Sequence, residues 1–261
     1  MRLRRTLSSR WWLAIQVLPA VAVVALAKML ITELDAESIE LNPLYTGLIA
    51  GNIFLLGFLL AGTLADYKES EKLPVELAAS LDSIGDEFRI VASGKGKAEG
   101  KAALAHLGVT VRTILQWLYG NERFEAVLER VEALNEHYVA IEPHTQVAYV
   151  SRIKTEQNAA RRMLMRIYSI HVTSFVVAGF MVAALTSIFL IAVLLFIDVG
   201  ALGTDLIVLC TLTFLLGYVL LLIRDLDDPF EYSTEGDRAG SAEASLDALV
   251  SLAGRLPEPV A

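Results

Sequence analysis

Between Leu44 and Leu64 the chain reads LYTGLIAGNIFLLGFLLAGTL, and none of these residues carries a charge. Roughly 20 apolar residues in a helix rising about 1.5 Å each suffice to cross a bilayer. Immediately afterwards come Asp66, Lys68, Glu69, Glu71 and Lys72, so the run ends as abruptly as a membrane span does. At about 100° per residue, Gly47, Gly51, Leu55, Phe58 and Gly62 share one side of such a helix. Tyr45, Leu48, Asn52, Leu56, Leu59 and Thr63 share another. The first side is small enough for a second helix to approach closely, and Gly47 to Gly51 is a GxxxG. Gly47, Gly51 and Gly62 are therefore expected to pack against a helix. Tyr45, Asn52, Leu56, Leu59 and Thr63 are expected to line a pore, because a carboxamide at mid-span is costly without water or a partner. For Asn52, a bond to a neighbouring helix is the other reading.

The chain is 55% hydrophobic against about 45–50% for a soluble domain. Four runs hold the excess: Trp11–Leu30, Leu44–Leu64, His171–Ile197 and Leu206–Ile223. The first follows four arginines and opens on Trp11 and Trp12. It is too long for a signal peptide's apolar core and carries Trp at its edge, so it reads as a retained span. Glu33, Asp35, Glu37 and Glu40 fill the first interspan loop, with no basic residue among them. Arg2, Arg4, Arg5, Arg10, Lys68, Lys72, Arg161, Arg162, Arg166 and Arg224 all fall on the other side. The positive-inside rule then puts both termini and the middle segment in the cytoplasm of a multi-pass inner-membrane protein. A net charge of −8 argues against nucleic-acid partners, and the single Cys210 permits no intrachain disulfide.

The expected organisation is all-α. Residues 1–64 hold spans one and two, 65–169 a cytoplasmic helical bundle, 170–224 spans three and four, and 225–261 an acidic, partly flexible tail. In the bundle, Pro74 suits the first turn of a helix striped by Leu77, Leu81, Ile84, Phe88 and Val91. Leu104–Leu118 and Phe124–Tyr138 carry further stripes, stopped at Gly120 and Pro143. A fourth helix should run from about Thr145 into the third span unbroken. Leu246, Leu249, Val250, Ala253 and Leu256 could form a short amphipathic helix, docked on the bundle or free.

No catalytic constellation, cofactor loop or metal motif stands out, so neither an enzyme nor a cofactor is expected. Ser93-Gly-Lys-Gly-Lys97 lacks the spacing of a phosphate loop, and the four histidines are scattered. The acidic residues Asp225, Asp227, Asp228 and Glu231 read as a solvated exit without a calcium-loop pattern. Asp198 and Asp205 read as interfacial carboxylates.

Two short motifs and the layout resemble the bestrophins, and more closely bacterial proteins with a bestrophin-like domain. Ala65, Lys68 and Glu71 match that family's Ala, Arg, Glu at intervals of three, with Lys for Arg. Asp228-Pro229-Phe230 matches the Asn/Asp-Pro-Phe that follows the fourth span. The aromatic-rich exit helix is reduced to Tyr67, and Glu231 replaces the usual glycine. The resemblance implies a homo-oligomer, a pentamer in the family, whose second span lines the hydrophobic neck of an anion (chloride) channel. Ala65, Lys68, Glu71, Asp228, Pro229 and Phe230 would then form its cytoplasmic mouth. The acidic interspan loop works against this, since it would repel an entering anion. The other reading is a non-conducting scaffold or sensor whose bundle binds partners. Proline after Asp228 should end the fourth helix and deliver Phe230 to the base of the bundle near Tyr67 and Leu73.

Overall fold

The computed structural model describes residues 2–40, 42–172, 177–198, 200–232 and 242–258, with backbone alone for 2–10 and 177. Eight α-helices account for nearly all of it: α1 (Arg2–Glu33), α2 (Pro43–Ser93), α3 (Lys97–Leu118), α4 (Phe124–Ile141), α5 (Val147–Val172), α6 (Val177–Leu195), α7 (Leu202–Asp227) and α8 (Asp247–Arg255). Trp11–Glu33, Pro43–Ser93, Ala178–Leu195 and Leu202–Asp227 are each long and apolar enough to cross a membrane. The chain divides into two compact units, Met1–Asp66 with Ser174–Asp227, and Tyr67–Thr173 with Asp228–Ala261.

In the span unit, α1 packs along α7, and α6 packs beside α7. A Cβ on Gly217 would lie 3.0 Å from Val17 Cγ1, so glycine is what lets α1 and α7 come this close. The core joins Leu56 and Leu59 of α2 to Ala183, Leu190 and Leu194 of α6 and to Leu209, Leu216 and Ile223 of α7. α1 ends in a Schellman turn. Ala36 N–H donates to Ile31 O, Asp35 N–H donates to Thr32 O, and Asp35 takes φ 50° where glycine is more usual. Beyond it, β1 (Ile39–Glu40) and β2 (Ile197–Asp198) form a two-residue parallel bridge. No alternation announces a strand this short.

The second unit is a helical bundle with one core. Leu77, Leu81, Ile84 and Phe88 of α2, Leu107, Val111 and Ile114 of α3, Val131 and Leu134 of α4, and Ile153, Leu164 and Ile167 of α5 are its buried members. Those of α2, α3 and α4 are the stripes read from the sequence; the buried face of α5 was not. Pro74, expected to open a new helix, instead lies inside α2, which runs unbroken for 51 residues. An internal proline costs about 3 kcal/mol in lost hydrogen bonding and crowding. Leu73, Leu77, Ala78 and Leu81 are buried around it, and that apolar area offsets the cost. Gly120 (φ 72°) stops α3 as expected, closed by Asn121 N–H on Gln116 O.

The amphipathic tail helix docks. Leu249 and Leu252 of α8 are fully buried in the bundle core, and Arg255 reaches Asp82 at 2.9 Å. The junction expected between α5 and the third span, and the acidic stretch from Ser233 to Ser241, lie outside the described residues.

Candidate functional site

On α2 it is the face with Asn52, not the glycine face, that meets the rest of the chain. Asn52 is 6% exposed, and Leu56, Leu59 and Thr63 are buried beside it in the span unit's core. Asn52 Nδ2 donates to Ser187 Oγ at 2.9 Å, and its Oδ1 accepts from Thr186 Oγ1 at 2.9 Å. Thr63 turns its hydroxyl onto Leu59 O at 3.1 Å. Tyr45 is half-buried against the same core. The expectation that Tyr45, Asn52, Leu56, Leu59 and Thr63 line an aqueous path is therefore corrected. Four of the five are buried in the chain's own packing, and the carboxamide has both of its ends bonded to α6. Desolvating the polar groups costs less once they bond one another, which is why α2 and α6 place them together.

The opposite face is bare. Cβ atoms built on Gly47, Gly51, Gly57 and Gly62 would meet nothing within 4 Å, so among the described residues no helix of the same chain packs there. Between these glycines stand Phe54 at 76% and Phe58 at 70% exposed. Ala50, Ala61 and Ala65 continue the exposed stripe at spacings of three and four. Phe54 belonged to neither face as read from the sequence. It lies on the edge of the glycine face that is farther from the polar face.

Elsewhere in the span unit, Lys28 of α1 is 1% exposed. Its Nζ lies 2.8 Å from Glu37 Oε1, 3.2 Å from Asp205 Oδ2, 2.7 Å from Ile197 O and 3.4 Å from Leu195 O. Thr32 Oγ1 donates to the same Glu37 oxygen at 2.6 Å. The hydrogen bond from Lys28, followed by that from Thr32, holds the Glu37 carboxyl below its usual range. Carboxylate oxygens of Glu37, Asp198 and Asp205 all lie within 4.8 Å of one another. In sequence Asp198 and Asp205 read as interfacial carboxylates, and Lys28 falls within the first apolar run. Their convergence depends on a bridge formed by residues far apart in the chain.

In the bundle unit, the Asp-Pro-Phe step behaves as its chemistry dictates. α7 ends at Asp227, and Asp228 Oδ1 accepts Phe230 N–H at 3.2 Å, an Asx-type turn. Pro229 O accepts Ala244 N–H at 2.9 Å. Phe230 is 1% exposed, in the core that also holds Leu73, Leu246 and Leu249. Of the other motif residues, Lys68 and Glu71 are exposed, and Glu71 accepts from Tyr67 Oη at 3.2 Å. Ala65 is exposed in the span unit. Close by in sequence, Arg166 forks onto Glu69 at 2.9 and 2.6 Å, and its hydrogen bonds lower the Glu69 carboxyl.

His171 Nδ1 lies 3.4 Å from Asp228 Oδ1. The hydrogen bond to Asp228 raises the imidazole above its ordinary value against an opposing burial effect, helped by the charges of Asp228 and Glu231. A histidine raised in the folded state stabilises it fully below its unfolded value of about 6.5. That contribution is lost as pH climbs through the raised value. The melting difference between wild type and His171→Asn should be largest near pH 6 and vanish at high pH. Solvent screening of this half-exposed pair limits it to about 1 kcal/mol. His137, lowered by burial and by His106, drifts in the opposite sense in both proteins and cancels from the difference. A difference that grows toward high pH would contradict the pairing.

An all-helical chain with four apolar, span-length helices and a helical bundle defines a polytopic membrane protein. No family model matches the sequence. No curated protein matches it either. Solved structures do. A crystal structure of a membrane protein superposes with TM-score 0.75 at 12% identity, covering 93% of this chain and 99% of that one. One variant of a bacterial bestrophin homologue from Klebsiella pneumoniae gives TM-score 0.73 at 13% identity, over 92% of this chain and 96% of that one. A second variant gives 0.73 at 12% identity, over 94% and 96%. The chain has a bestrophin-like fold.

Proposed function

We propose that this chain is the subunit of a homo-oligomeric, bestrophin-like membrane pore whose neck is formed by the bare face of α2. The observation that carries the proposal is that face itself: Gly47, Gly51, Gly57 and Gly62 with Phe54 and Phe58 exposed between them. A glycine edge offers lipid few atoms to touch and lets a backbone of another copy approach. Two aromatic rings presented from each subunit make a hydrophobic constriction of the kind that gates by dewetting. One α2 cannot enclose a path, so the reading requires several copies. Orientation follows the basic residues, with the bundle and both termini in the cytoplasm.

Resemblance assigns the pore to anions. A specific observation favours cations instead. Glu33, Asp35, Glu37, Glu40, Asp198 and Asp205 lie at one end of the span unit, and among the described residues the cation found with them, Lys28, is buried and paired. Such a field raises local cation concentration and lowers that of halide.

The test is the mass of the detergent-solubilised particle, followed by reversal potentials in bilayers under a KCl gradient. A multiple of 28.5 kDa is expected, and a bare monomer of that mass would end the pore reading. Gly47→Leu with Gly51→Leu should reduce the particle mass. Phe58→Ala should raise conductance several-fold by widening the neck. The sign of the reversal potential separates chloride from cation passage, and an assembly without conductance would leave the scaffold reading standing.

A further inference from the structure

The Lys28 cluster has the composition of a cation site rather than of a surface salt bridge. Three carboxylates, Glu37, Asp198 and Asp205, bring their oxygens within 4.8 Å of one another. The Ile197 carbonyl adds a fourth oxygen, 2.7 Å from the ammonium. Hard cations are held by this kind of all-oxygen set, in which carboxylates mix with backbone carbonyls. The backbone supports it from both sides. Leu195 closes α6, where the exposed carbonyls of a helix C-terminus favour a positive charge. Asp205 lies in the first turn of α7, where a carboxylate is favoured by the helix N-terminus. Asp198 is occupied on one oxygen by Gly200 N–H at 2.7 Å, which fixes its direction.

We infer that Glu37, Asp205 and the carbonyls of Ile197 and Leu195 form a cation cage, with the exposed Asp198 carboxylate at its edge, whose resident ion is the chain's own Lys28 ammonium, tethered through α1. The ammonium offers three N–H donors and meets four oxygens at 2.7–3.4 Å, so its donors are fully used. Delivered by a covalent arm, this ion ties α1 to the closing turn of α6, the opening turn of α7 and the loop before β1. Two of its carboxylate partners are largely shielded from water, with side-chain exposures of 15% for Glu37 and 3% for Asp205. Emptying the cage would therefore leave like charges facing one another in a poorly solvated place. The class of ligand that can replace the tethered ion is a small primary ammonium or a divalent cation of calcium type.

The test uses the full-length protein in detergent. Lys28→Met removes the ion and keeps the arm, and should lower the melting temperature by about 10 °C. Lys28→Met combined with Glu37→Gln and Asp205→Asn removes the repulsion as well, and should recover most of that loss. In Lys28→Ala, propylammonium chloride or calcium chloride should raise the melting temperature, whereas tetramethylammonium chloride at equal ionic strength should not. The cage is refuted if Lys28→Met melts like wild type, or if the triple variant is no better in yield or melting temperature than Lys28→Met. It is equally refuted if tetramethylammonium restores Lys28→Ala as well as propylammonium does, since screening alone would then explain the effect.

Discussion

Phe230→Ala should destabilise the protein by about 3–5 kcal/mol, among the largest losses expected from a single truncation in this chain. The ring is 1% exposed and belongs to the bundle core. Its backbone N–H is held by Asp228, and the preceding Pro229 carbonyl is held by Ala244, so the turn has little freedom to collapse into the cavity. For a chain of this size the loss corresponds to a fall of roughly 10 °C or more in melting temperature. Phe230→Leu keeps most of the volume and should cost no more than about 1.5 kcal/mol. Glu231→Ala, at an exposed neighbour, should stay within about 0.5 kcal/mol of wild type. Should Phe230→Ala melt with Glu231→Ala, the ring is not the anchor that its burial makes it.

Gly100→Val should fail to give a folded bundle. A Cβ at Gly100 would stand 2.4 Å from Ala92 N and 2.7 Å from Ala92 Cα. These are backbone atoms of α2, so relief requires the end of α2 and the start of α3 to part. Overpacking typically costs about 1–3 kcal/mol where side chains can yield, and here none is available to do so. Even Gly100→Ala should lower the melting temperature by several degrees. Gly254, on α8, has open space where its Cβ would be, and Gly254→Ala should gain up to about 1 kcal/mol from helix propensity. The comparison turns on opposite signs for the same chemical change. A Gly100→Ala protein melting at or above wild type would mean that α2 and α3 are not in contact there.

The bundle was legible because its stripes are strong: each of Leu77, Leu81, Ile84, Phe88, Leu107, Val111, Ile114, Val131 and Leu134 is buried where a period of 3.6 puts it. The span-length helices were legible from their long apolar runs, and the Asp-Pro-Phe turn because proline and an Asx side chain act locally. What could not be read was direction. On α2 the sequence distinguishes a glycine side from a polar side, but which one meets α6 depends on Thr186 and Ser187, more than 130 residues away. Pro74 misled because a local helix breaker was outweighed by tertiary burial around Leu73 and Leu77. Lys28 gave no signal, since a lysine at the end of an apolar run is ordinarily exposed.

The separations within the span unit also fix an order of events during synthesis. Lys28 waits for the carbonyl of Ile197, 169 residues later, and Asn52 waits for Ser187, 135 residues later. At about 5–20 residues per second, those intervals amount to roughly 10–30 s. Throughout that time the first two spans exist with a carboxamide that lacks its native partners and an ammonium that has only Glu37 of its own. The bundle residues that separate the two pairs of spans emerge meanwhile, so they are available to fold before the span unit can close.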